Sequence, residues 1–366
     1  MLKPLSFVIV GSGWRAMFFV RVAKRYPELF HLNYLLCRSE EKAERLRREE
    51  DIPVTTSVQA CEDTHPDFIV IAVSWDAAFD LTKEWLKKGY PVLEETPAAT
   101  TEEQLEELWE LHRRGARIQI AEQYLRYPLL ASGLRVIRQG LLGEPHVVDL
   151  SLVHEYHAAS LIRNMLNLGL NCQENLKKGL PAFKLWGRQY AFPVAETDSR
   201  QGPVTDGSVK RQTRTRVTIE FEGGKMAFYD FSDVQYHTFI RARHINVQGV
   251  KGEWNDTFLR YVDDSFHPVQ KKLKPELDLA YPDLETDELR ELSSVWKPEV
   301  HMENWQDEYA IATMMLDMRE LIETGCGGYP LAEALEDTYM WMLMKKVVQT
   351  PGRIIESRSH SWQKSQ

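Results

Sequence analysis

The sequence is poor in cysteine, and its few cysteines are scattered. Cys37, Cys61, Cys172 and Cys326 form no C-x-x-C pair, so the sequence gives no support for a zinc site or a redox motif. Four isolated cysteines in a chain of 366 residues are typical of free thiols in a reducing compartment. We therefore predict no metal site.

The chain also lacks an excess of positive charge and a long apolar run. Its formal net charge of −9 argues against a dedicated nucleic-acid binder, because neutralising phosphates requires a basic field. No stretch approaches the roughly 20 apolar residues that span a bilayer. The run "FVIV" is too short for a signal peptide, and "GSG" followed by Arg15 interrupts it. We expect a cytoplasmic protein that binds neither nucleic acid nor membranes.

What is present in the first third is a regular alternation of strands and helices. Short apolar runs alternate with segments of helical spacing; the runs are "SFVIV", "LNYLLCR", "DFIVIAV", "YPVLEE" and "RIQIAEQY". Such alternation with short connections predicts an α/β domain with a Rossmann-type doubly wound parallel sheet. We assign it to residues 1–124.

The pattern changes after about residue 125. The segment "TRVTIEFEGGKMAFYDF" predicts a hairpin, with Val217, Ile219 and Phe221 on one face and Gly223-Gly224 at the turn. Long helical segments follow. We predict a C-terminal α+β domain on a largely antiparallel open sheet in residues 125–357, which carries the substrate and oligomer contacts, and a flexible tail in residues 358–366.

A dinucleotide fingerprint, "GSGWRA", stands directly after the first strand and opens a helix. In this pattern Gly11 permits a tight turn, Gly13 lets the pyrophosphate approach the backbone, and Ala16 allows close packing of helix and strand. Helix N-terminal amides then hold the phosphates. Trp14 and Arg15 complete the predicted cofactor loop. The alternative is that the glycines merely make a turn.

The end of the second strand bears on the choice of cofactor. An acid that binds the ribose hydroxyls of NAD is expected about 20 residues after the glycines. This chain has "LLCRS" there, so that Cys37 or Arg38 stands where the acid should be. An arginine suits a 2′-phosphate, so the prediction is NADP or NAD with a slight preference for NADP. Alternatively, Arg38 is simply solvated at a strand end.

Nearly the whole chain resembles the glucose–fructose oxidoreductase, inositol dehydrogenase and MocA (Gfo/Idh/MocA) family. The resemblance rests on the fingerprint and on four further stretches, "WLKKGYPVLEETPAATTEEQLEEL", "IQIAEQYLRYPLLASGLRVIRQGLLGEPHVVDL", "YHAASLIRNMLN" and "RVTIEFEGGKMAFYDF". It implies an NAD(P)-dependent oxidoreductase acting on a small polar substrate, such as a sugar or polyol derivative. It also implies a homodimer or homotetramer formed through the second domain's sheet.

The resemblance is incomplete at the family's Glu-Lys-Pro signature. Thr96 stands between Glu95 and Pro97, where the family has a lysine that polarises or protonates the substrate oxygen. Threonine cannot act as a general acid near neutral pH. Family members often have a cis peptide before this proline, and we expect one here. Ser74 and the residues from Glu95 to Pro97 join the predicted cofactor-binding set.

His157 matches the histidine of the family's catalytic helix. Val153 and Ser160 replace the two acids that often flank it, and Ala78 stands where another histidine is usual. We predict His157 as the acid/base, since a proton donor or acceptor near neutral pH is what carbonyl–alcohol chemistry requires. The alternative is a histidine that only packs in the core.

Two tyrosines are further catalytic candidates. Tyr124 or Tyr156 could replace the lost lysine as proton donor, although aromatic packing explains either one alone. His154 and His157 lie three residues apart, which is not the four-residue spacing of the H-E-x-x-H zinc motif.

The sequence supports two hypotheses of different classes. The first is the oxidoreductase, with a degenerate catalytic set. The second is a catalytically inactive dinucleotide-binding sensor or regulatory protein of the same fold, and its motivation is the joint replacement at Thr96, Val153 and Ser160. NAD-assisted glycoside cleavage, known in one branch of the family, has no specific sign here. The substrate itself cannot be named from the sequence.

Overall fold

The computed structural model describes residues 3–170, 179–195, 198–199, 202–273 and 305–364. These residues form two compact units: residues up to 127 together with 305–335, and residues 128–273 together with 336–364. The first unit therefore differs from the predicted range 1–124, because it includes a helix from late in the chain. One of the contacts that tie this helix to the first unit is the hydrogen bond from the Tyr127 hydroxyl to Asp307, 2.5 Å long.

The sheet of the first unit has six strands, all parallel, in the order β3-β2-β1-β4-β5-β6. Its strands are β1 (Leu5–Val10), β2 (Phe30–Leu36), β3 (Val54–Thr55), β4 (Phe68–Ile71), β5 (Val92–Glu94) and β6 (Ile118–Ile120). All of β1 is buried, as a strand covered on both faces must be. The predicted Rossmann-type domain is confirmed; only β3 was missed, because two residues carry no readable pattern.

The helices begin largely where the sequence signals predict. They are α1 (Ala16–Arg25), α2 (Glu40–Glu50), α3 (Val58–Glu62), α4 (Trp75–Lys87), α5 (Glu102–Arg113), α6 (Pro128–Arg138), α7 (Glu155–Met165), α8 (Trp305–Thr324) and α9 (Leu331–Gln349), with short 3₁₀ turns at Tyr124–Arg126, Asp233–Tyr236 and Ser361–Gln363. Thr101 caps α5 by accepting a hydrogen bond from the Gln104 amide. None of the helices in the described ranges is both long enough and apolar enough to cross a bilayer.

The sheet of the second unit has nine strands in the order β16-β15-β14-β13-β7-β12-β11-β8-β17. The strands after β6 are β7 (Pro145–Ser151), β8 (Phe183–Ala195), β9 (Asp198–Ser199), β10 (Gly202–Pro203), β11 (Val209–Phe221), β12 (Met226–Phe231), β13 (His244–Gly249), β14 (Gly252–Asn255), β15 (Phe258–Val262), β16 (Pro268–Lys272) and β17 (Ile355–Glu356); β9 and β10 pair separately. Every neighbouring pair is antiparallel except β12 and β7. The predicted largely antiparallel sheet is confirmed.

The predicted hairpin is the pair of β11 and β12. Val217, Ile219 and Phe221 are buried and Arg216 is exposed, as the alternation predicts. The turn at Gly223 and Gly224 has φ of 89° and 85°, a region that glycine adopts without strain.

The C-terminal segment is packed, so the prediction of a flexible tail is wrong for residues 358–364. The Trp362 side chain is fully buried, and its indole N–H donates to a Glu336 carboxylate oxygen at 2.9 Å. The Gln363 amide donates to the same carboxylate. A buried acid needs such hydrogen-bond donors. Here they come from the C-terminal segment that the sequence predicts to be a flexible tail. Residues 365–366 lie outside the described ranges.

Candidate functional site

The loop after β1 is built around Gly11. Gly11 has φ of 122°, and a Cβ built on it would lie 2.1 Å from the carbonyl oxygen of Ala72. Its N–H donates to the carbonyl of Leu36 at 3.0 Å. The backbone therefore passes so close to the end of β4 that only glycine fits.

Gly13 differs from Gly11 in a way that points to a ligand. Its φ lies outside the left-handed region, and a Cβ built on it would meet nothing within 4 Å. Within the described residues the fold thus sets no requirement for glycine at this position. The open space adjoins the N-terminus of α1, where unpaired backbone N–H groups attract phosphates. These residues fit a dinucleotide pyrophosphate.

The ends of neighbouring strands bring other predicted cofactor residues to the same edge. The strand order reverses between β1 and β4, and ligands of such sheets bind at this crevice, beyond the carboxyl ends of the strands. Exposed Ser74 begins α4 after β4, and exposed Arg38 follows β2. Trp14, in the β1 loop, is 69% exposed.

The turn after β5 carries Thr96. The Thr96–Pro97 peptide is cis, which confirms the expectation from the sequence. The Glu95 N–H donates to the carbonyl of Ile71, 2.9 Å away, so this turn is held against the end of β4. Thr96 is half-buried and follows directly.

Arg15 lies in the phosphate loop, but its side chain contacts acids of the protein. Its Nε donates to Glu95 Oε1 at 2.7 Å, and its Nη1 lies 3.6 Å from Asp307 Oδ1 on α8. Burial lowers the pKa of Arg15, but Glu95 and Asp307 outweigh it and raise the pKa overall. Burial raises the pKa of Glu95, and Arg15 opposes that shift. The third nitrogen of the guanidinium, Nη2, is buried and has no hydrogen-bond partner among the described residues.

Tyr124 packs on a neighbouring tyrosine in the first unit. Its ring centroid lies 4.5 Å from that of Tyr127, and it is half-buried. Arg126, two residues on, forms an ion pair with Asp317 of α8. Burial raises the pKa of Asp317 to about 6, although Arg126 opposes the shift.

The second unit brings four polar and aromatic side chains together at the start of α7. His154 precedes the helix; its Nδ1 lies 2.9 Å from the Tyr236 hydroxyl, which also accepts from the His154 backbone N–H at 3.1 Å. The His157 ring lies 4.8 Å from the His154 ring and 5.4 Å from the Tyr156 ring. His157 and Tyr156 are buried. Of the three predicted catalytic residues, these two share a unit, and Tyr124 belongs to the other.

Val153 and Ser160 stand where the family often has acids near the catalytic histidine, and neither supplies a charge beside His157. Val153 and Ser160 are fully buried, and the Ser160 hydroxyl donates to the His157 carbonyl at 3.0 Å. Sequence reasoning missed Tyr236, because nothing in the local pattern links it to a histidine 82 residues away. Within the described ranges, no group of three or more His, Cys, Asp or Glu side chains is placed to hold a metal ion.

Residues 5–122 match a family described as "Oxidoreductase family, NAD-binding Rossmann fold" (GFO_IDH_MocA). The match covers the Rossmann-type part of the chain, about a third of its length. Members of the family are oxidoreductases, so the Gfo/Idh/MocA resemblance and the prediction of an oxidoreductase are both confirmed. No curated protein matches the chain's sequence.

Solved structures share the fold over nearly the whole chain. An NAD-binding oxidoreductase from Klebsiella pneumoniae and an oxidoreductase domain protein from Kribbella flavida each have a TM-score of 0.69 at 15% identity, covering 98% of this chain and 100% of theirs. An oxidoreductase from Agrobacterium radiobacter, solved with NAD+, L-tartaric acid and magnesium, has a TM-score of 0.69 at 12% identity, covering 96% and 98%. At these identities the likeness concerns the fold alone.

Glu94, the last residue of β5, is an acid buried in the sheet of the first unit. It is fully buried, and neither carboxyl oxygen reaches hydrogen-bond geometry with any described residue. Burial raises the pKa of Glu94 well above its usual value, and the equally buried Thr82 opposes this only in part. Burial at this position therefore favours the protonated form of Glu94 over the carboxylate.

We expect Glu94→Gln to stabilise the protein more at pH 8 than at pH 5. The raised pKa stabilises the folded state fully below the unfolded value of 4.5, and this contribution is lost as pH rises toward the folded pKa, by at most about 1.4 kcal/mol per pH unit. Glutamine cannot titrate, so urea unfolding of the two proteins should diverge as pH rises. A difference that is the same at both pH values would contradict a raised pKa of Glu94.

Proposed function

We propose that the protein is an NAD(P)-dependent oxidoreductase that transfers a hydride to or from a small polar substrate, such as a sugar, a polyol or a related carbonyl compound. The observation that carries the proposal is the loop from Gly11 to Ala16. Gly11 is required by the fold. Gly13 is not, and its lack of a side chain leaves space for a ligand at the N-terminus of α1. Titrating NADPH and NADH separately, by fluorescence and thermal shift, tests it. If neither nucleotide binds, the proposal fails, although the fold stands.

The slight preference for NADP rests on Arg38. Its side chain is exposed two residues after the end of β2, whereas the acid expected for NAD in this region is lacking. We expect Arg38→Asp to shift the NADPH/NADH affinity ratio toward NADH, because the acid repels a 2′-phosphate and accepts from a ribose hydroxyl. Arg45→Asp, an exposed change on α2, is the matched control. An unchanged ratio in Arg38→Asp would mean that Arg38 points away from the ribose.

The proposal assigns the acid/base role to His157. The nicotinamide cofactor supplies or accepts the hydride, so the protein must move one proton at the substrate oxygen. Thr96 can orient a substrate or a water through its hydroxyl but cannot supply that proton. The His154–Tyr236 contact lies beside His157 and fixes one of its aromatic neighbours. Tyr124 and Tyr156 are the alternative donors.

The second candidate function is a dinucleotide-binding sensor without catalysis. The specific observation in its favour is Ser160, whose hydroxyl is engaged by the backbone of its own helix, while Val153 offers no polar group. Tight nucleotide binding with no turnover across a wide panel of sugars and polyols would favour the sensor. Turnover on any member of the panel would favour the enzyme.

We propose that the protein is at least a homodimer, associated through the open face of the second unit's sheet. Outward positions on this face include apolar side chains, since Phe228 is 41% exposed and Phe258 is 39% exposed. Such a face must be covered or kept polar. Light scattering at micromolar concentration should give a dimer or tetramer, and Phe228→Glu should lower the mass. A monomeric wild type would refute the assignment.

A further inference from the structure

The phosphate loop and the Thr96 turn are joined by one buried side chain, Arg15. They follow different strands, β1 and β5, which the sheet separates by β4. The Nε of Arg15 donates to Glu95 Oε1 at 2.7 Å, and Glu95 directly precedes Thr96. Only 16% of the Arg15 side chain and 13% of the Glu95 side chain are exposed. A charge-assisted bond between groups this buried is strong and screened little by salt.

A second nitrogen of the guanidinium, Nη1, faces an acid as well. Asp307 of α8 lies 3.6 Å from Arg15 Nη1, and Asp307 accepts from the Tyr127 hydroxyl at 2.5 Å. The Arg15 guanidinium also lies 5.1 Å from the centroid of the Phe18 ring. Arg15 therefore has several contacts with the protein, and through them it can hold the Thr96 turn in place relative to the phosphate loop.

We propose that Arg15 is a positioning residue: by holding Glu95, it sets the Thr96 turn at a fixed place relative to the phosphate loop. The inference rests on the proposed function, because those two segments would meet the two ends of one dinucleotide. The phosphates bind at the loop, and the nicotinamide half depends on the turn. Arg15 thus acts through Glu95, not by contact with a phosphate.

The first test needs no cofactor. We expect Arg15→Gln to increase backbone deuterium exchange in residues 95–100 of the free protein. Arg21→Gln is the matched control, because Arg21 lies on α1 and forms an ion pair of 2.5 Å with Glu308 on the same partner helix, α8. That variant should leave exchange in residues 95–100 unchanged. Equal exchange in the wild type and Arg15→Gln would overturn the positioning role, whatever the protein binds.

The second test separates the two halves of the nucleotide. Isothermal titration with ADP-ribose and its 2′-phosphorylated form reports the half without nicotinamide, and NADH and NADPH report the whole. We expect Arg15→Gln to weaken whole-nucleotide binding by about tenfold and fragment binding by less than about twofold. Glu95→Gln should reproduce this pattern, and the double variant should be no worse than either single one, since both remove the same link.

The outcomes distinguish the inference from the function on which it rests. If fragment and whole nucleotide weaken equally in Arg15→Gln, Arg15 holds a phosphate directly and the inference is wrong. If neither weakens, the ion pair only supports the fold, and the inference is wrong again. Arg15→Lys, which keeps the charge with a different reach, should recover part of the whole-nucleotide affinity. If the wild type binds no nucleotide in either form, the proposed function fails, while the exchange experiment still decides whether Arg15 holds the turn.

Discussion

His157→Ala should lower kcat/KM by about 10²–10⁴-fold on a verified substrate, the usual contribution of a general acid or base. The reason is that Thr96 cannot supply a proton as the family's lysine does, so the proposed function assigns the proton transfer to His157. The measurement is steady-state kinetics on the first sugar or polyol that turns over, with thermal unfolding to confirm that the buried site still folds. His157→Gln, which fills more of the space, should be similarly impaired.

Thr96→Val is the comparison for that result. It removes one hydroxyl at nearly constant volume, so the loss should be about 1 kcal/mol, or roughly fivefold. The expected order is therefore His157→Ala far worse than Thr96→Val. If both variants turn over like the wild type, the acid/base group lies elsewhere, and Tyr124 or Tyr156 becomes the leading candidate.

Gly13→Val should abolish nucleotide binding without unfolding the protein. A Cβ at Gly13 meets nothing in the described structure within 4 Å, so the branched side chain costs the fold little. The same side chain would occupy the space that the pyrophosphate needs, and we expect NADPH and NADH affinity to fall by at least ~100-fold, or ~2.8 kcal/mol. Isothermal titration and thermal unfolding, measured on the same preparation, test both halves of the prediction.

A graded control separates exclusion of the ligand from damage to the loop. Gly13→Ala should weaken binding less than Gly13→Val, because it adds a single methyl group. Gly11→Ala should instead lower the melting temperature, since its Cβ would lie 2.1 Å from the Ala72 carbonyl oxygen. Normal binding by a folded Gly13→Val protein would refute the phosphate loop.

The architecture of both units could be predicted from the sequence because each strand, helix and turn has a recognisable local pattern. Strands buried on both faces read as continuous apolar runs, and the hairpin of β11 and β12 reads as strict alternation around Gly223-Gly224. Helix starts were readable for the same reason: Ser39 and Thr101 each accept the hydrogen bond of a capped first turn. The short strand β3 and the partly exposed β8 carried too little pattern to be found.

The contacts between distant side chains could be learned from the folded structure alone. The sequence placed Arg15 among the cofactor ligands, but its partners, Glu95 and Asp307, lie 80 and 292 residues further along the chain. It left the C-terminal segment free, whereas Trp362 is fully buried against Glu336. The physical reason is the same in both cases. A buried charge requires a polar partner, and folding can bring that partner from any part of the chain. The residues next to the charge in the sequence therefore do not indicate which partner it has.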